Sequence, residues 1–137
     1  MPKPPHFHHV GYVVASIERQ GPSFARSLDA EWGGVVFHDP LQKVRVTFLA
    51  PKAGPHALVE LVEPADPSSP VKRLADSGGG LHHVCYEVDD LDAHIAWAKT
   101  TGSKTIRSPK PAVAFDGRRI AWMITPDNLL IEYLERR

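Results

Sequence analysis

The hydrophobic and polar positions of this 137-residue chain follow the same order twice. Residues 6–14 and 80–88 each form a stretch of mainly apolar and aromatic side chains around a His-His pair, typical of a β-strand. A helix is predicted after each strand, and further strands follow it. Each copy ends on an apolar strand that carries an internal acid, at residues 58–63 and 130–135. The sequence therefore predicts an α+β fold of two tandem βαβββ modules.

The two predicted helices have recognisable start signals. Ser16 can accept a hydrogen bond from the first turn of the first helix, and Asp89 or Asp90 can do so for the second. The second helix is expected to run through Ala98. Gly21-Pro22 is expected to break or kink the first helix early, because proline lacks the backbone donor and clashes with the preceding turn.

The module boundaries follow from the same pattern. Module one spans residues 6–64, residues 65–80 form a linker with a short helix, and module two spans residues 81–137. A module of this length cannot bury both faces of its own sheet. We therefore expect a single domain, residues 1–137, in which the modules form a curved mixed sheet around a cavity. The pairing of modules within one chain or across a dimer stays open.

Charge and composition narrow the functional classes. The 16 basic and 16 acidic residues cancel, which removes the electrostatic case for nucleic-acid or anionic-membrane binding. No apolar run approaches the roughly 20 residues that span a bilayer. Cys85 is the only cysteine, so no disulfide framework is expected. Met1–Pro5 has no apolar segment typical of a signal peptide, so a cytoplasmic location is expected.

One histidine and one acid stand at matching points of each module. His9 and Glu60 are 51 positions apart, and His83 and Glu132 are 49 apart. Alternation along the strands places these residues on one face of the sheet, where a buried carboxylate is costly without a cation or hydrogen bonds. The sequence therefore predicts a divalent metal site. Two imidazoles and two carboxylates suit Zn, Ni, Co or Mn without distinguishing between them.

The remaining histidines are expected to play other roles. His8 and His82 have the opposite strand parity, which predicts positions on the other face or contacts that orient the ligands. The others are expected in turns, on a helix surface or at the N-terminus: His6, His38, His56 and His94.

The chain resembles the vicinal oxygen chelate superfamily, which includes glyoxalase I, methylmalonyl-CoA epimerases and the bleomycin resistance proteins. The resemblance covers about Phe7 to Glu135 and is greatest to the methylmalonyl-CoA epimerase-like branch. The segments that carry it are residues 44–49, 59–64, 69–71, 79–84 and 87–91. The resemblance implies a metal-binding cavity, one divalent metal ion and, together with the exposed sheet edges, a homodimer. The metal ligands that it implies are His9, Glu60, His83 and Glu132.

The resemblance also implies a reaction. The substrate, a small molecule such as an acyl-CoA thioester, would offer two oxygens to the metal, and a proton would leave the carbon between them. Glu60 and Glu132 are the expected catalytic residues, with either or both as the base. Three arginines are weaker candidates for binding an anionic group of the substrate: Arg45, Arg118 and Arg119.

Two alternatives to an acyl-CoA epimerase remain open at this point. A glyoxalase I-type lactoylglutathione lyase would use the same four ligands and the same proton abstraction. A non-catalytic binding or resistance protein of the same fold would hold a small molecule without turnover.

Overall fold

The computed structural model describes residues 2–54 and 57–137. They divide into two compact units, the first formed by residues 9–54 and 57–82 and the second by residues 2–8 together with 83–137. The elements in chain order are β1 His6–Val13, α1 Ile17–Leu28, β2 Ala30–Glu31, β3 Phe37–Asp39, β4 Val44–Pro51, β5 Leu58–Pro64, α2 Lys72–Asp76, β6 Gly80–Val88, α3 Leu91–Thr100, β7 Lys104–Pro111, the 3₁₀ turn Val113–Phe115, β8 Arg119–Ile124 and β9 Leu130–Glu135.

The first unit contains a mixed sheet. Strand β1 pairs with β5 in parallel, and β5 pairs with β4 in antiparallel fashion. The outer side of β4 is covered by two short antiparallel strands, β2 and β3. One face of this sheet packs against α1, around the buried side chains of Val14, Ile17, Leu49 and Leu61. Burying each such side chain contributes about 1.5–3 kcal/mol.

The second unit repeats the arrangement with one difference at its edge. Strand β6 pairs with β9 in parallel, β9 pairs with β8 in antiparallel fashion, and β8 pairs with the eight-residue strand β7. Helix α3 covers one face of this sheet, and its buried residues include Leu91, Ile95 and Ala98. The predicted α+β class and mixed sheet are thus confirmed.

The start signals of the helices are confirmed, whereas the predicted break in α1 is wrong. The side chains of Ser16 and Asp90 accept hydrogen bonds from the N–H groups of Arg19 and Ala93. Helix α1 nevertheless continues through Pro22 to Leu28. Proline removes only one backbone hydrogen bond near the start of this helix. Packing of the apolar helix face against the sheet outweighs that loss.

The glycines after α2 permit a close approach in the first unit. Gly79 has a φ of 79°, in the left-handed region that favours glycine. A Cβ atom there would overlap the backbone carbonyl oxygen of Val13. Among the described residues, no helix is long and apolar enough to cross a membrane.

Candidate metal centre

In the first unit, β1 and β5 bring together one histidine and one carboxylate. The parallel register pairs Gly11 with Glu60, so His9, two residues before Gly11, lies on the same face as Glu60. His9 Nε2 and Glu60 Oε1 are 3.4 Å apart, and the two side chains are only 0% and 6% exposed. The pair predicted from strand parity within this module is therefore formed.

The second unit forms the same pair with the same geometry. Cys85 pairs with Glu132 across β6 and β9, which places His83 on the face of Glu132. The distance from His83 Nε2 to Glu132 Oε1 is again 3.4 Å, and the side chains are 1% and 4% exposed. Each unit of the chain thus contains its own buried His–Glu pair, and the two pairs are equivalent.

An aromatic residue accompanies each pair, which the sequence pattern did not predict. Phe48 lies opposite Glu60 in the sheet, and its ring meets that of His9 edge to face at 5.6 Å. Trp122 lies opposite Glu132 and meets His83 at 4.7 Å. Each ring thus packs against the imidazole of its pair. The sequence gives little indication of these two aromatic residues, because the β4–β5 and β8–β9 registers decide which aromatic residue lies opposite the acid.

The donor atoms of each pair suit a divalent metal. Imidazole nitrogen and carboxylate oxygen are ordinary ligands of such ions. Two atoms bound about 2.1 Å from one ion at a tetrahedral angle lie about 3.4 Å apart. Burial of Glu60 and Glu132 at 4% and 3% residue exposure would be favoured by a neighbouring positive charge. Each unit therefore contains a buried His–Glu pair that could bind a metal ion.

Known proteins resemble this chain along most of its length. The family model described as the glyoxalase/bleomycin resistance protein/dioxygenase superfamily matches residues 8–122. The chain belongs to this superfamily.

Its relatives include epimerases. An ethylmalonyl-CoA/methylmalonyl-CoA epimerase of Cereibacter sphaeroides is 28% identical over 122 residues, which cover 88% of each protein. A solved hypothetical protein of Bacillus halodurans C-125 is 27% identical, with a TM-score of 0.84 over 98% of this chain and 96% of the other. A methylmalonyl-CoA epimerase solved in complex with methylmalonyl-CoA and NH4+ has the same fold, at 22% identity and a TM-score of 0.78 over 97% and 95% of the chains.

The histidines that precede the two donor histidines have other surroundings. His8 and His82 follow the opposite parity in β1 and β6 and are half-buried. The ring of His8 meets that of Phe115 edge to face at 5.5 Å. These positions agree with the expectation that His8 and His82 do not share the face of the ligands.

The candidate arginines for substrate binding are engaged in ion pairs. Arg45 and Arg119 lie on the helix-covered faces of their sheets, paired with Glu63 at 3.8 Å and with Glu135 at 2.9 Å. Arg118 donates to Glu87 at 2.9 Å. The hydrogen bond from the Arg119 guanidinium lowers the pKa of Glu135. These contacts favour structural roles for all three arginines.

The expectation that His94 is a surface residue is wrong. Its side chain lies in the interior of the second unit, 1% exposed, against the rings of Trp97 and Tyr133 at 5.2 and 4.6 Å. Burial lowers the pKa of the imidazole and raises that of the Tyr133 phenol. The expectation that His38 lies in a turn is also wrong, because the residue pairs with Arg45 in strand β3, where it is exposed. His56 lies outside the described residues.

Proposed function

We propose that this protein is a divalent-metal-dependent epimerase of acyl-CoA thioesters, of the methylmalonyl-CoA type. The observation that carries the proposal is the repeated, buried His–Glu pair, with the same 3.4 Å separation in both units. Epimerases are also among the relatives of this chain. Their similarity supports the reaction class, and the substrate is part of the proposal.

In this proposal, the two pairs together bind one metal ion through His9, Glu60, His83 and Glu132. Three arguments favour this set over two separate ions. A single His–Glu pair is a sparse ligand set, whereas four protein ligands are typical of a tightly held divalent ion. Two carboxylates balance the charge of one divalent cation. Four ligands also leave two positions for substrate oxygens when the ion is six-coordinate, and Zn, Ni, Co and Mn all fit this donor set.

A bound divalent ion supplies Lewis acidity, which polarises a thioester carbonyl and makes the neighbouring C–H bond more acidic. The side chains of this chain provide the proton transfers. In this proposal, the carboxylate of Glu60 or Glu132 accepts the proton from one face of the substrate carbon, and the other of these two residues, in its protonated form, returns a proton to the opposite face and inverts the centre. Phe48 and Trp122 keep bulk water away from the carboxylates, so that the charge developing on the substrate is not dissipated by solvent.

Solvent exchange tests this function directly. Purified protein is stripped of metal, reloaded with Zn, Ni, Co or Mn in turn, and incubated with one enantiomer of methylmalonyl-CoA in deuterated water. We expect loss of optical activity together with deuterium at the carbon between the carboxylate and the thioester, at a rate that depends on the metal. Stripped protein is the matched control.

Two results would contradict the proposal. Turnover of methylglyoxal with glutathione, without exchange in methylmalonyl-CoA, would assign the protein to the lyases. Tight thioester binding without any deuterium uptake would indicate a binding protein. Glu60→Gln and Glu132→Gln then assign the base, because the variant that lacks the base loses exchange while it retains measurable metal content.

A further inference from the structure

The outer strand of the second unit carries three positive charges. Lys104, Arg107 and Lys110 lie on β7 and are exposed. None of them has an ion pair or side-chain hydrogen bond within residues 2–54 and 57–137. Exposed lysines on an edge strand commonly protect it from pairing with other chains. The direction of these three side chains indicates a further role.

The strand register places all three cations on one face of the sheet. Cross-strand partners share a face. The partners of Lys104, Arg107 and Lys110 on β8 are alternate residues, Ile124, Trp122 and Ile120. Trp122 is in turn the partner of Glu132 on β9. The three cations therefore lie on the face that carries Glu132 and His83, opposite the face covered by α3.

Two irregularities in β7 produce this alignment. In a regular strand, residues three apart point to opposite faces. The β7–β8 register shifts between Thr105 and Arg107 and again between Arg107 and Lys110, and each shift inserts one extra residue. Bulges of this kind redirect side chains and are common beside active sites. Without them, Arg107 would point away from the face that Lys104 and Lys110 share.

The acids on this face do not neutralise the three cations. Glu132 is buried against His83, and Glu87 accepts a hydrogen bond from Arg118 at 2.9 Å. The other acid of β9, Glu135, lies on the helix-covered face, where it binds Arg119. The row Lys104–Arg107–Lys110 is thus a positive surface patch that continues the face of the proposed metal ligands.

The distance between Arg107 and Glu132 limits which part of a bound ligand could reach this row. Arg107 is two strands away from Glu132, which corresponds to about 10 Å at the usual spacing of about 4.8 Å per strand. The small acyl group that reacts beside Glu132 is too short to reach it. An anion that binds the row must be joined to the reacting carbon by an arm of roughly 10 Å or more.

We propose that Lys104, Arg107 and Lys110 bind the phosphate groups at the nucleotide end of a coenzyme A thioester. This inference rests on the proposed function, since it places the reacting acyl group at Glu132 and His83. Three cations on one face match a ligand with several phosphates, and electrostatic attraction steers such a ligand towards the face that carries the carboxylate.

The test compares two charge-matched triple variants. One combines Lys104→Gln, Arg107→Gln and Lys110→Gln. The control combines Arg19→Gln, Arg26→Gln and Lys99→Gln, three exposed helix residues, so that both variants lose three charges. Free coenzyme A is titrated into each metal-loaded protein by calorimetry. We expect a 10–100-fold weaker affinity for the β7 variant and a change below threefold for the control.

Failure of this inference is distinguishable from failure of the proposed function. Equal affinity for coenzyme A in the wild type and the β7 variant, an equal loss in the control, or no binding to the wild type would overturn the role of β7. Solvent exchange in a truncated thioester without the nucleotide tests the reaction alone. The ratio of kcat/KM for the full thioester to kcat/KM for the truncated thioester is measured in the wild type and in the β7 variant. We expect this ratio to be 10–100-fold lower in the β7 variant.

Discussion

The two units of this chain are most alike at their central strands and least alike at their outer ones. His9, Glu60 and Phe48 in the first unit have the register relations of His83, Glu132 and Trp122 in the second. The outer strand differs, because β7 is continuous and basic, whereas β2 and β3 are two short pieces without lysine or arginine.

The proposed function explains why the central strands are alike and the outer strands differ. A metal ion that is bound equally by two similar halves requires the same donor and the same geometry in each. A substrate with a reacting end and a nucleotide end is not symmetrical, so only one edge has to carry positive charge. On our proposals, the central strands hold the metal and the outer strands determine the substrate.

Hydrogen bonds to one side chain anchor the segment that separates the two short outer strands of the first unit. The hydroxyl of Thr47 accepts a hydrogen bond from Trp32 Nε1 at 2.7 Å and donates to the carbonyl of Val35 at 2.5 Å. The corresponding residue of β8 is Ala121, which is fully buried and has no hydroxyl. The segment between β2 and β3 is therefore anchored by one side chain that the second unit lacks.

The largest effect is expected from removal of one donor histidine in either unit. His9→Ala and His83→Ala should each lower metal affinity more than about 100-fold, since loss of a group that merely orients a ligand already costs 10–100-fold. Elemental analysis after dialysis measures the bound metal, and His38→Ala, at an exposed position, is the control. A loss in only one of the two variants would show that the metal belongs to a single unit.

An exchange of residues between the units tests the anchor at Thr47. Thr47→Ala should cost about 1–3 kcal/mol, because the indole N–H of Trp32 and the carbonyl of Val35 lose their partner. Ala121→Thr should cost a similar amount through overpacking of a filled core. Urea unfolding measures both, and Thr47→Ser, which keeps the hydroxyl, should retain most of the stability. A neutral Thr47→Ala would refute the role of this hydroxyl.

The helices provide a comparison that depends on pH. Gln20 of α1 accepts hydrogen bonds from Ala15 and Ser16, whereas His94, at the same position of α3, is buried. Burial lowers the pKa of His94 in the folded state, so the unfolded chain binds the proton more readily. The contribution of the neutral imidazole is complete above the unfolded pKa of about 6.5 and is lost as the pH falls through the lower pKa of the folded state.

The measurement is the slope of unfolding free energy between pH 5 and 7.5. His94→Phe, which keeps a ring between its two aromatic neighbours, should give a shallower slope than the wild type. Identical slopes would mean that His94 does not titrate differently on unfolding.

The smallest effect is expected from the two helix-face ion pairs. Arg119 binds both carboxylate oxygens of Glu135 at 2.9 Å and also Asp92, whereas Arg45 reaches Glu63 only at 3.8 Å. Arg119→Gln should therefore lower the melting temperature more than Arg45→Gln. High salt should reduce the difference. An equal effect of the two substitutions would show that the bidentate geometry adds no stability.

The central strands of this protein could be predicted from the order of residues alone. Side chains alternate strictly along a regular strand, so parity leaves two faces for each residue, and the repeat of the same positions in both modules favours placing His9 with Glu60 and His83 with Glu132. The duplication strengthens this inference, because each pair is predicted from an independent segment. The start of the first helix at Ser16 is also a local property, since a cap depends on neighbouring backbone N–H groups alone.

The features that depend on partners distant in the chain required the three-dimensional fold. Helix α1 continues through Pro22 because packing against the sheet outweighs one lost backbone bond. His94 is buried because α3 turns it towards Tyr133. The alignment of Lys104, Arg107 and Lys110 depends on two register shifts against β8. A bulge reverses strand parity, and its position is set by pairing with the neighbouring strand, so parity counted from the sequence fails at that point.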